Sequence, residues 1–339
     1  MDPEAVRRCG RVPHGGARDP SLVDFSANTN PETPPAARAA HEAAFADATR
    51  YPDDDYPAYR RAAAAYVGCD LDAVVPTPGG LAAIRLAVET HVGPGDSVLV
   101  PFPSFGEYAR EVRLQGADPA FVPAADVLDA DPAGHALAVV CNPNNPTGRA
   151  YDDDAIRRFA RRCRAAGTVL LVDEAFLGFT DRPSLAGTEG VVVARSLTKL
   201  FGLPGLRAGF AVAEGERRDA LARARRAWTL GTPAARVGAA SMADDDFVAR
   251  TRRRVRAERS RLREALSDAY GVAPSDAPFL LLDVGDRDVD RVLARARARG
   301  VAVRDATTFR GLDRHVRVAV RLSDENDRLL AALDVRDDG

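Results

Sequence analysis

The spacing of apolar and polar positions changes character twice along the chain. Residues 1–35 keep no period and are rich in Pro, Gly and Asn, which predicts an irregular arm. Apolar residues then recur at helical spacing over 36–48 and 56–67, with a turn between them where Arg50-Tyr51-Pro52 runs into three aspartates. From about residue 75 short apolar runs alternate with helical patterns. The runs are 97–100, 136–140, 168–172, 191–194 and 207–212; the helices are 79–91, 104–115 and 152–166, the last capped by Gly167. After Gly231-Thr232-Pro233 the pattern shifts again. Arg/Ala-rich helices over 234–243 and 245–269 precede a strand at 279–284, a helix at 288–299, strands at 301–303 and 315–320, and a helix at 324–333.

Short, continuously apolar strands separated by helices indicate an α/β fold with a mostly parallel sheet covered on both faces. We therefore expect a large domain over 36–230, a smaller α+β domain over 231–339, and an N-terminal arm over 1–35. Ligand groups in such sheets gather in loops at the carboxyl ends of strands. The loop around Asn145, the residue Asp173 and the stretch around Lys199 all follow such runs.

Composition narrows the function classes. A net charge of −2 gives no field that favours nucleic acid or an anionic membrane. The arginine run over 250–263 is offset by acidic triplets at 53–55, 152–154 and 244–246, and these read as solvated helix faces and helix starts. Cys9, Cys69, Cys141 and Cys163 form no CxxC pair and no metal-ligand spacing, so free thiols in a reducing compartment are expected, with no metal site. No apolar run approaches a membrane span, and the N-terminus lacks a signal-peptide core, so a cytoplasmic protein is expected.

The basic residues carry the sharpest chemical signal. Of 47 Lys and Arg side chains, Lys199 is the one lysine. Arginine stays protonated, whereas lysine can lose its proton and attack a carbonyl carbon. Ser196 and Thr198 precede it, and Arg207 follows in a Gly-rich turn. Upstream, Gly79-Gly80-Leu81 opens a helix, whose free N–H groups suit a phosphate. Asp173 ends a buried strand, and Asn145 lies in an Asn/Pro/Gly loop. Pyridoxal phosphate needs each of these parts: a lysine for its aldehyde, an acid for its pyridine nitrogen, an anion site and a donor to its ring oxygen.

With these motifs in order (Asn145-Pro146-Thr147-Gly148, Asp173-Glu174-Ala175-Phe176, Ser196-Leu197-Thr198-Lys199 with Arg207, and Val316-Arg317-Val318-Ala319-Val320-Arg321), the chain resembles a fold-type I aminotransferase of classes I and II. The resemblance runs from His14 to about Leu333. It points to the branch that holds histidinol-phosphate aminotransferase and threonine-phosphate decarboxylase. It implies a PLP-dependent transferase fold whose N-terminal arm joins the small domain and the substrate site. It further implies that Lys199 links to the cofactor and shuttles the proton, and that Asp173 pairs with the pyridine nitrogen. Asn145 would donate to the ring oxygen, and Phe105 would stack on the ring. The amides of Gly80 and Leu81, with Ser196, Thr198 and Arg207, would hold the cofactor phosphate. Tyr51 would reach that phosphate from a neighbouring subunit, which implies a homodimer. Arg317 would bind the substrate α-carboxylate, with His14, Asn28, Asn145 and Arg304 also on the substrate side. Arg304 would hold the phosphate of a small phosphorylated amino-acid substrate.

One position departs from the pattern. Many relatives carry a tyrosine three residues after the aspartate, where this chain has Phe176. One donor to the ring oxygen is lost, so the lysine–cofactor link should hold its proton to higher pH than in tyrosine-bearing relatives. For the reaction, three details resemble the decarboxylase branch: His14-Gly15-Gly16 ahead of Asp24-Phe25-Ser26-Ala27-Asn28, the terminal Arg321 of the last strand motif, and Arg304 with Arg310-Gly311-Leu312, the last shared by both branches and so a sign only of a phosphorylated substrate. They lead to the expectation of a lyase that decarboxylates L-threonine O-3-phosphate to (R)-1-amino-2-propanol O-2-phosphate in cobalamin biosynthesis. Histidinol-phosphate aminotransferase, or another class I/II aminotransferase, is the alternative. A non-enzymatic relative is the third reading, and the retained lysine speaks against it.

Overall fold

The computed structural model describes residues 1–333. Seven strands form the main sheet in the order Val74–Thr77, Gly209–Val212, Val191–Ser196, Val169–Asp173, Leu137–Cys141, Ser97–Phe102 and Asp118–Pro123. Gly209–Val212 is antiparallel to both its neighbours, and the other pairings are parallel.

The central strands read as apolar runs because both of their faces are buried. Ala138, Val140, Leu170, Val172, Val191 and Val193 join one apolar cluster with Tyr59, Phe159 and Cys163. The alternate residues Leu137, Val139, Val169, Leu171 and Val192 join another, with Ile84, Tyr108 and Val112. Helices Pro57–Val67 and Asp153–Ala165 thus cover one face, and Gly80–His91 and Glu107–Leu114 the other.

A second sheet is wholly antiparallel: Arg304–Asp305, His315–Ala319, Phe279–Asp283 and Gly271–Val272. Val23–Asp24 pairs in parallel with Val301–Ala302, and Phe25 bonds through its backbone to Ala302 and Ala319, which ties the N-terminal segment to this part of the chain.

Four of the elements were not given by the sequence reading. The arm expected to be irregular holds helix Pro3–Arg8, with Asp2 capping its N-terminus, and strand Val23–Asp24. Asp118–Pro123 is an edge strand, where its two prolines leave no ladder donor missing on a paired side. Helix Gly215–Ala224 buries only Leu221, so its apolar signal is weak. The four cysteines are free; Cys141 and Cys163 are buried. Among the described residues, no helix is long and apolar enough to cross a membrane.

Candidate active site

The parallel strands bring their carboxyl ends to one edge of the main sheet, and the site is built there. Gly80 follows the first strand, Phe105 the strand Ser97–Phe102, and Asn145 the strand Leu137–Cys141. Asp173 ends its own strand, and Lys199 follows Val191–Ser196. The one reversed strand serves the same edge. Because Gly209–Val212 runs the other way, its start lies there and carries Arg207 with it. A cavity of about 650 Å³ results, lined by thirteen of the residues named above: His14, Asn28, Gly80, Leu81, Phe105, Asn145, Asp173, Ser196, Thr198, Lys199, Arg207, Arg304 and Arg317.

Tyr51 does not line this cavity. It is 79% exposed and stacks on Trp228 with ring centroids 4.5 Å apart.

At one end of the cavity a small cradle is left between the start of helix Gly80–His91 and the loop after Val191–Ser196. Ser196 Oγ and Thr198 Oγ1 are 2.8 Å apart. Gly79 has φ +97°, and a Cβ there would come within 2.7 Å of Arg207 Nη2. A Cβ on Gly80 would lie 2.9 Å from Ser196 Cβ. Glycines are thus required for the helix start, the hydroxyls and the guanidinium to converge. Donors and positive charge converging on a helix N-terminus make an anion site.

Lys199 is partly buried beside this cradle. Burial, then the charges of Arg317 and Arg207, pull its amine down to about 8. About a tenth is therefore unprotonated at pH 7, far more than for a free lysine, and it is this fraction that can act as a nucleophile or proton acceptor. Asp173 is buried, and burial pushes its carboxyl above the usual range. Tyr108 opposes that shift, donating its hydroxyl to Asp173 Oδ2 at 2.5 Å, and the Ala175 amide donates to Oδ1 at 3.0 Å. Sequence reasoning did not single out Tyr108. Its position three residues after Phe105, at the start of a helix, was the available signal.

Arg317 lines the cavity. It is buried, and Asn145 Oδ1 and the Ser26 carbonyl accept from it, but among the described residues it forms no ion pair. Its Nε has no partner. Arg304 stands directly opposite it across the strand pair, where like charges repel. Burial and Arg304 together lower Arg317 to about 9. Two uncompensated cations facing one cavity make a site for an anion. Asn28 adds a buried Oδ1 without a partner.

Phe176 is buried on the cavity wall, edge-on to Phe279 at 5.1 Å, and brings no hydroxyl to the site. His14 Nε2 lies 2.9 Å from Oε1 of the buried Glu107, and its ring is 5.8 Å from that of Phe105.

The sequence model of the family described as aminotransferase class I and II matches residues 20–333. The chain belongs to this family. Pyridoxal phosphate is accordingly its cofactor, and the cradle, the buried carboxylate and the depressed lysine fit it. Among similar proteins, histidinol-phosphate aminotransferase 1 of Archaeoglobus fulgidus is 30% identical, covering 92% of this chain and 98% of its own. The histidinol-phosphate aminotransferase of Halobacterium salinarum is 34% identical over 93% and 91%. A Caldanaerobacter subterraneus protein provisionally named threonine-phosphate decarboxylase is 31% identical over 85% and 83%. Among solved structures, the histidinol-phosphate aminotransferase of Clostridium acetobutylicum shares the fold, with a TM-score of 0.84 at 22% identity over 92% and 98% of the two chains. That of Sinorhizobium meliloti, solved with pyridoxal-5'-phosphate, gives 0.78 at 22% over 98% and 94%.

The expected decarboxylation of threonine phosphate is overturned by the sequence relatives, among which seven matched over more than nine-tenths of this chain are histidinol-phosphate aminotransferases. The structure shows why the decarboxylase-like details misled. Arg321 does not line the cavity; it bonds to Glu325 and to the Asp24 carbonyl, bracing the start of helix Ser323–Leu333. His14 Nε2 is engaged by Glu107. Arg304 is a cation on the cavity wall that suits a phosphorylated substrate of either reaction, so it does not separate them. Neither lyase chemistry nor a place in cobalamin synthesis is retained.

Proposed function

We propose that this aminotransferase moves an amino group between histidinol phosphate and 2-oxoglutarate, with glutamate as the other amine, in histidine biosynthesis. The observation that carries the reading is Arg317, a buried cation that forms no ion pair among the described residues, set opposite Arg304 in the cavity that holds Lys199. Both partner substrates present an anion next to the reacting amine: a carboxylate in glutamate, a phosphate in histidinol phosphate. The kinship with histidinol-phosphate aminotransferases supports the same choice.

In this reading Arg317 and Arg304 grip that anion and fix the amine-bearing carbon. Asn28 and Asn145 complete its polar surroundings. When bound, the cofactor supplies an aldehyde that takes up the amino group and a ring that delocalises the electrons of the broken bond. Phe105 would stack against the ring, Asp173 would pair with its nitrogen, and Gly80, Leu81, Ser196, Thr198 and Arg207 would hold its phosphate. Lys199 Nζ, unprotonated in part at neutral pH, takes the proton from the amine-bearing carbon and returns it elsewhere. The exposed Tyr51 acts in the site of a second subunit, so the enzyme works as a homodimer.

The test is amino transfer by the holoenzyme. Histidinol phosphate with 2-oxoglutarate should yield glutamate, and Lys199→Ala should abolish it. Arg304→Ala should weaken histidinol phosphate far more than unphosphorylated histidinol. Absence of glutamate, with CO2 released from threonine phosphate, would overturn the reading.

A further inference from the structure

Phe105 and Tyr108 sit one helical turn apart at the start of helix Glu107–Leu114, and the Tyr108 amide donates to the Phe105 carbonyl at 3.2 Å. Their rings meet edge to face, with centroids 5.6 Å apart at 85°. Tyr108 is fully buried, and the carboxylate it touches is buried on the cavity wall. A phenol has one proton to donate, and here it goes to Asp173 Oδ2 at 2.5 Å. Cys141, the nearby thiol, points its own hydrogen at the Pro143 carbonyl, 3.4 Å away.

A carboxyl facing a pyridine nitrogen shares one proton with it. The pair is either carboxylate and pyridinium, or neutral acid and neutral pyridine. Dry surroundings favour the neutral pair; donors to the carboxylate favour the ionic one. Two donors are present, and only the tyrosine is a side chain. We propose that Tyr108 is a positioning residue that acts through Asp173 to keep the shared proton on the ring nitrogen of bound pyridoxal phosphate. Because Tyr108 is braced on Phe105, the aromatic wall of the cofactor site and its proton balance are set by one helical turn. The proposal rests on the reading that Asp173 faces the ring nitrogen, and is independent of the substrate.

Tyr108→Phe removes one oxygen and keeps the ring packing. Wild type and variant are loaded with cofactor labelled with nitrogen-15 in the ring. Two quantities are read: the nitrogen chemical shift and the cofactor dissociation constant. Wild type should show a pyridinium shift. The variant should move toward neutral pyridine and bind about tenfold more weakly, ~1.4 kcal/mol. Asp173→Asn should change both readings, and adding Tyr108→Phe to it should change affinity less than twofold, because the second residue has lost its means of acting. A Tyr108→Phe variant that keeps both readings, or loses affinity equally in the Asp173→Asn background, overturns the proposal. So does one that melts at lower temperature yet keeps both readings, since Tyr108 would then be packing alone. If Asp173→Asn itself changes neither reading, the placement of Asp173 fails instead.

Discussion

Lys199→Met should stabilise the cofactor-free protein at pH 7. The substitution keeps an unbranched side chain of similar length and removes the charge. Burial, and then the charges of Arg317 and Arg207, lower the wild-type amine from 10.5 to about 8. In the unfolded chain it stays near 10.5. Below pH 8 the amine is charged in both states, and the folded state bears the full cost of enclosing that charge. At 1.36 kcal/mol per pKa unit the cost is roughly 3 kcal/mol. Between pH 8 and 10.5 the folded protein releases the proton while the unfolded chain keeps it. Wild-type stability therefore rises with pH, and the cost is gone above 10.5. The Met variant lacks this titration. Urea unfolding of both cofactor-free proteins from pH 7 to 10.5 should show the variant ahead by roughly 3 kcal/mol at pH 7, with the lead shrinking as pH increases. A variant equal to or less stable than wild type at pH 7, or a lead that does not change with pH, would refute the reasoning. The sign matters for function, because a residue that destabilises the fold at working pH is retained for its chemistry.

Other substitutions probe the remaining parts. Phe176→Tyr places a hydroxyl on the cavity wall and should lower the pH midpoint of the lysine–cofactor absorbance by roughly one unit; an unmoved midpoint would remove position 176 from the cofactor's surroundings. Gly79→Ala, at φ +97° and 2.7 Å from Arg207 Nη2, should cost ~1–3 kcal/mol in cofactor affinity, read by equilibrium dialysis. Arg317→Gln should raise KM for glutamate by about 10- to 100-fold, the worth of a charged hydrogen bond, while cofactor affinity stays near wild type. Arg321→Gln should lower the melting temperature through loss of the contacts to Glu325 and Asp24, with KM for histidinol phosphate unchanged.

The gathering of these residues at one cavity was legible in the sequence because most of them lie at or just after the end of an apolar strand, and the fold collects such ends at one edge. Lys199 stood out because it is the one lysine among 47 basic side chains. Tyr108 was hidden because its partner, Asp173, lies 65 residues away along the chain and the two meet only when the strands assemble. The pairing of Arg304 with Arg317 depends likewise on strand register, which no local pattern states. The choice of reaction failed for a different reason. Arg321 belongs to the same strand motif as Arg317, but it lies four positions on, past the end of strand His315–Ala319, where its side chain braces a helix rather than the cavity. A motif records which residues are neighbours in sequence, and only the structure says which of them face the substrate.

The most direct test is hydrogen exchange at the amine-bearing carbon of L-glutamate in heavy water, with the holoenzyme and no second substrate. Amino transfer breaks the bond from that carbon to hydrogen, whereas decarboxylation breaks the bond to the carboxylate. Deuterium should enter glutamate at that carbon with wild type and not with Lys199→Ala, and no CO2 should appear. Glutamate that keeps its hydrogen, or exchange that persists without Lys199, would contradict the assignment of this cavity as an aminotransferase site.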